Sequence, residues 1–237
     1  MSAPDGSVPN RRDDRARAGA RVALVALTAG TASLDVTAFL RLGGVFASVM
    51  TSNLVFVGIA VVKTEAAFVV RCAVAILSYI VGVGVGSAVA PPSGRENRLG
   101  TRPLSLLLTG ELAVLVAYTV WWMAVDARPV GWTRLVLLGA IALAMGGQGA
   151  AARQLGSPHV GTTYLTGTLT SLVSSLAGRH RPDPESIAVL VALIAGAAAG
   201  AGLLEAAPIT VPLLALAGVG STVILSWRTG QTRPSEP

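Results

Sequence analysis

Asp35 and Gln148 are the residues of this sequence best placed to do chemistry, because each stands in a long apolar stretch where a polar group needs a reason. A charged side chain deep in a bilayer costs about 3 kcal/mol or more, so such groups face a cavity, a partner or a water path. Asp35 can hold a proton or a cation, with Arg41 or Arg153 as a partner; alternatively it caps the turn after its helix or pairs with Arg41, with no ligand involved. Gln148 carries donor and acceptor without charge, and can bind a solute or join two helices. Two hydroxyl-rich segments come next: Thr51-Ser52-Asn53 and, further on, Thr162, Thr163, Thr166, Thr168 and Thr170. A single threonine usually returns its hydroxyl to its own helix, but so many together make a segment wettable. Glu111, seven residues past Leu104, is a further ionisable candidate, whereas Glu65 and Glu205 fall at the ends of apolar runs.

The elements that must position these groups are membrane helices. Of 237 residues, 52% are hydrophobic and only 13% charged, about half the usual charged share of a soluble domain. Runs long enough to cross a hydrocarbon core of about 30 Å are Arg21–Leu40, Glu65–Ala90, Leu104–Val125, Trp132–Ala152, Ser186–Glu205 and Ile209–Trp227. Ser48–Val62 and Thr162–Ala177 are shorter or more polar, and read as short helices or re-entrant hairpins. The reading is an all-α polytopic bundle of about six spans plus two short Thr-rich segments. The membrane domain covers 21–228, with a disordered basic tail over 1–20 and a second tail over 229–237. Soluble enzymes, nucleic-acid binders and disulfide-stapled domains are excluded. The net charge of +6 comes from arginines in tails and short loops. Six crossings place 13 of the 18 basic residues on the side of the N-terminus, which the positive-inside rule makes cytoplasmic. Eight crossings would move the 95–102 cluster outside. Six spans with both termini cytoplasmic is the arrangement expected, in a bacterial inner membrane.

The chain also repeats itself. Asp35…Leu42-Gly43 followed by Thr51-Ser52-Asn53-Leu54 has a counterpart in Gln148…Leu155-Gly156 followed by Thr166-Gly167-Thr168-Leu169, offset by 113 to 115 residues. Gly82-x-x-x-Gly86 and Gly196-x-x-x-Gly200 are 114 apart. Duplication into halves of about 21–125 and 130–228 explains this, against accidental alignment of Ala-, Gly- and Leu-rich sequence. Three spans per half would make the halves inverted, as in many secondary transporters with a site at the midplane; four would make them parallel.

No Walker A loop, Gly-x-Ser-x-Gly elbow or His-Glu-x-x-His is present, and the one cysteine, Cys72, with His159 and His180 gives no metal-site spacing. No enzyme activity, cofactor or metal is expected. Ser33-Leu34-Asp35, Leu42-Gly43-Gly44-Val45-Phe46, Met50-Thr51-Ser52-Asn53, Met145-Gly146-Gly147-Gln148-Gly149-Ala150 and Thr166-Gly167-Thr168-Leu169-Thr170 together resemble the YoaK-like family of bacterial membrane proteins, over about 21–227. Ser52 and Gly149 depart from the family pattern, which has Gly and Asn there. The resemblance implies a multi-pass inner-membrane protein of about six helices, with no substrate or reaction. The residues themselves predict a small-solute transporter or permease in the lipid bilayer, handling a small solute or a proton. Asp35, Thr51, Asn53, Gln148, Thr166 and Thr168 would line its site, and Asp35→Asn would abolish pH-dependent uptake without unfolding the protein. The alternative is a non-transporting membrane protein that binds a protein partner or lipid. No oligomeric state follows from the sequence.

Overall fold

A computed structural model describes residues 11–89, 102–154, 165–178 and 183–231. Eight α-helices succeed one another: α1 (Arg11–Arg41), α2 (Met50–Val62), α3 (Ala66–Val89), α4 (Arg102–Ala124), α5 (Gly131–Gln154), α6 (Leu165–Ala177), α7 (Pro184–Ala206) and α8 (Pro212–Gln231). Among the described residues six stretches are long and apolar enough to cross a membrane: Arg21–Arg41, Ala66–Val89, Arg102–Ala124, Gly131–Arg153, Pro184–Ala206 and Pro208–Arg228. They match the expected spans to within a few residues. The 13-residue helices α2 and α6 are about 20 Å long at 1.5 Å per residue, too short to cross. One expectation is corrected at the N-terminus: residues 11–20, read as disordered tail, belong to α1. Their Arg- and Ala-rich composition is strongly helix-forming, and an adjoining helix spares them the cost of nucleation.

The repeat is visible in the packing. α1 lies against α7 and α8, and α5 lies against α3 and α4, while α4 and α8 pack on each other; α2 rests on α3 and α6 on α7. Exchanging the halves leaves this pattern unchanged. Burial follows the same rule. The spans of α1 and α5 are each 67% buried and form the centre, whereas those of α4 and α8 are each 44% buried.

Glycine fixes the two equivalent seams. A Cβ at Gly82 would lie 2.1 Å from the Leu143 carbonyl oxygen, and one at Gly196 would lie 2.3 Å from that of Ala29. Gly86 meets Gly147 and Ala150, and Gly200 meets Ser33. The partners Ala29 and Leu143 are themselves 114 apart, as are Ser33 and Gly147. The same residues therefore make the same backbone approach twice, which duplication explains and chance alignment does not.

Helix directions decide the number of crossings. Trp227 Nε1 donates to Thr109 at 3.3 Å, and Trp122 Nε1 to the Pro208 carbonyl at 2.8 Å, so α4 and α8 are antiparallel. With eight crossings they would be the fourth and eighth and hence parallel; with six they are the third and sixth and opposed, as found. Gly30 against Ala215 and Gly218 against Ala26 make α1 antiparallel to α8. The tight 125–130 turn reverses the chain between α4 and α5. The central helices α1 and α5 thus run in opposite directions, and the halves are inverted.

Candidate functional site

Two polar centres lie a helical turn apart on α1. The first is built around Asp35, which is 7% exposed. α1 ends in a turn at Gly43 and Gly44, whose φ values of 120° and 80° favour glycine. That turn brings residues 46–48 back beside α1. Asp35 Oδ1 accepts the backbone N–H groups of Ala47 and Ser48, both at 2.8 Å, and Oδ2 accepts the Ser48 hydroxyl. From the other side, Asn53 on α2 pairs with both backbone polar groups of one residue, Phe46. Its Oδ1 accepts Phe46 N–H at 2.9 Å and its Nδ2 donates to the Phe46 carbonyl at 2.7 Å. Both carboxylate oxygens of Asp35 are thereby occupied by the loop. Arg41 is not its partner: its Nη2 donates to the Leu204 carbonyl at 3.0 Å, satisfying a carbonyl in the last turn of α7.

The second centre sits where the halves meet. Gln148 on α5 donates from Nε2 to Glu111 Oε1 on α4 at 2.9 Å, and its Oε1 accepts the Thr31 hydroxyl of α1 at 2.9 Å. All three residues are at most 5% exposed. Glu111 Oε2 is buried and has no hydrogen-bond partner among the described residues. Thr31 is at the middle of the Arg21–Arg41 span and Glu111 near the middle of Arg102–Ala124, so the centre is near mid-membrane depth. A second buried atom without a partner among the described residues, the Tyr118 hydroxyl, stands seven residues along α4, on the same buried stripe. Leaving a buried polar atom unpaired costs about 1–3 kcal/mol, more if charged, and such groups in native folds call for an explanation in function or bound solvent.

Of the six residues singled out in the sequence, Gln148 is at this second centre, and Asp35 and Asn53 are together at the first. Thr168 is buried on α6, whereas Thr51 and Thr166 are exposed on the two short helices. Thr162 and Thr163 lie outside the described residues. The structure adds Thr31 and gives Glu111 a definite partner. Thr31 precedes Asp35 by one turn, on a buried face that also carries Thr28, a spacing that marks it in the sequence.

These observations define a class: a multi-pass helical membrane protein of two inverted three-span halves, with a buried carboxylate network at their junction. The chain belongs to the family described as "Protein of unknown function (DUF1275)", whose model matches residues 23–226. It is 32% identical over 158 residues, 67% of each chain, to the UPF0700 transmembrane protein YoaK of Bacillus subtilis (strain 168). No solved structure matches it. The resemblance to the YoaK-like family therefore holds over residues 23–226.

Proposed function

We propose that this protein is a small-solute transporter of the bacterial inner membrane, with both termini cytoplasmic, whose central site is formed by Thr31, Glu111 and Gln148. The observation that carries this reading is the unpaired Glu111 Oε2 at mid-membrane depth, at the junction of two inverted halves. Inverted repeats give a transporter two related conformations, one open to each side, around a site near the midplane. Asp35 and Asn53 hold the loop that starts α2. α2, with Thr51 and Ser52 in its first turn, and the hydroxyl-rich α6 stand at opposite ends of the bundle, with Thr51 and Thr166 at the mouths of the pathway and Thr168 packed behind.

The test is flux into proteoliposomes across a panel of small amino, carboxylic and sugar solutes. Wild-type protein is expected to move one class, and Glu111→Gln to reduce that movement at least tenfold while remaining folded. That fall corresponds to the loss of about 1.4 kcal/mol of differential stabilisation. A second expected outcome concerns topology. Single cysteines at Thr51 and Thr166, in a Cys72→Ala background, should label with an impermeant thiol reagent from opposite faces; labelling from the same face would defeat the inverted arrangement.

A non-transporting role has one observation in its favour. α2 buries only Asn53 and Ala60, and α6 only Thr168, leaving apolar faces that include Leu54, Val55, Leu169 and Val173 open to lipid or a partner. Absence of flux for every solute class, with the topology intact, selects that role.

A further inference from the structure

We infer that Glu111 is a proton-binding site whose occupancy is transmitted from one half to the other by rotation of the Gln148 amide. This deepens the transport reading by naming the coupling ion, and rests on that reading only for its consequence, not for its chemistry.

The Thr31 hydroxyl has one proton and two acceptors in reach: the Leu27 carbonyl at 3.0 Å and Gln148 Oε1 at 2.9 Å. Gln148 in turn presents its N–H to Glu111. With Glu111 ionised, the chain of donors runs from Thr31 to Gln148 to the carboxylate, and Oε2 is left over. A proton arriving from water on Oε2 turns the carboxylate into a donor. Rotating the carboxyl and the amide, each about its terminal bond, then places the acid O–H on Gln148 Oε1 and the amide N–H on Thr31 Oγ. The Thr31 proton passes to the Leu27 carbonyl, already at bonding distance. Each link of the relay has one donor and one acceptor in both states, and the only atom added is the proton.

A proton suits this site better than a metal ion. Gln148 directs a donor at Glu111, and the oxygens gathered here, from the Glu111 carboxylate, Gln148, Thr31 and the Leu27 carbonyl, fall short of the roughly six or more that a divalent ion takes. The surroundings leave Glu111 as the group that titrates. On α5, packed against α4, the charged residues are Arg134 and Arg153, near its two ends; on α8 the charge is Arg228. α3 carries Arg71, Cys72 and Tyr79, and α4 itself Arg102 and Tyr118. On α1, Asp35 is one turn beyond Thr31, with both oxygens engaged by Ala47 and Ser48. The relay joins Glu111 and Thr31 of the first half through a residue of the second, so proton uptake changes the bonds between the halves.

Infrared difference spectra of the purified protein, recorded as pH is lowered, read this directly. The expected result is a carboxylic C=O stretching band that grows on acidification and is lost in Glu111→Gln. It should be displaced in Gln148→Leu, and accompanied by a pH-dependent Gln148 amide band that Thr31→Val alters. Glu111→Asp keeps a carboxyl and should keep the band at a shifted position, so the assignment stands even if Glu111→Gln fails to fold. Absence of any titrating band sensitive to Glu111 overturns the proton site, and a titrating Glu111 without an amide change overturns the relay. No solute is needed, so a titrating site in a protein that shows no flux would remove transport and leave the site.

Discussion

A single methyl group at Gly82 or at Gly196 should separate the central helices from their partners. In Gly82→Ala the new Cβ would lie 2.1 Å from a carbonyl oxygen of α5, and in Gly196→Ala 2.3 Å from one of α1. Real Cβ atoms do not approach so closely, and the obstacle is backbone, which cannot turn aside as a side chain can. The helices must part along the whole seam and lose dispersion contacts on both flanks. Overpacking typically costs 1–3 kcal/mol, and a backbone obstacle at the central seam belongs at the top of that range, about 3 kcal/mol. At roughly 2–4 °C per kcal/mol for a chain of this size, Tm should fall by about 10 °C in each variant. Gly84→Ala and Gly202→Ala are internal controls on the same helices. Nothing lies within 4 Å of their added Cβ, so the better helix propensity of Ala, about 1 kcal/mol, should leave Tm level or slightly raised. Equal melting of all four variants would dismiss the seams as the support of the fold. The equivalence of the halves adds a further demand, that Gly82→Ala and Gly196→Ala be damaging to a similar degree.

These seams were legible in the sequence because the bilayer restricts what an apolar chain can do. Spans must be helices of about 20 residues, and glycine four apart on a helix marks a close crossing. The six spans follow from run length and arginine placement, the repeat from motifs offset by 113 to 115 residues, and the α2 and α6 segments read as short helices or re-entrant hairpins. The polar centres were legible only in part. Asp35 was read with two roles open, and the choice depends on where Gly43 and Gly44 send the chain. Their positive φ values return Ala47 and Ser48 to a residue twelve and thirteen positions earlier, a closure that hydropathy does not encode. Glu111 and Gln148 could have been paired from the sequence. They stand 13 residues before the end of α4 and 17 after the start of α5, and a hairpin brings such positions to similar depth. Thr31 joins them only because α1 docks across the half-to-half boundary, which no local pattern specifies.

The same bonds separate two substitutions of Asp35, to Ala and to Asn, and set for Asp35→Asn a different expectation from the loss of uptake read from the sequence. Asp35→Ala removes the acceptor of two buried backbone amides and of the Ser48 hydroxyl. Each amide left unpaired costs about 1–3 kcal/mol, so the loop should be destabilised by about 4 kcal/mol. Residues 46–48 would then release their hold on α1, and Asn53 alone, through its pair with Phe46, could not restore it. Asp35→Asn keeps one oxygen for the two amides, and its NH₂ can donate to Ser48 Oγ once that hydroxyl turns. The loss is the difference between charge-assisted and neutral hydrogen bonds, about 1 kcal/mol per bond at most. Thermal melts should therefore rank wild type above Asp35→Asn, with Asp35→Ala far below or not recoverable in detergent. Flux should follow the melts: retained in Asp35→Asn, where the loop is intact, and lost in Asp35→Ala with the fold. A well-folded Asp35→Asn protein that has lost flux, while Glu111→Gln keeps it, would move the proton from Glu111 to Asp35. The coupling group would then lie one turn further along α1, with the Ala47 and Ser48 amides as its seat.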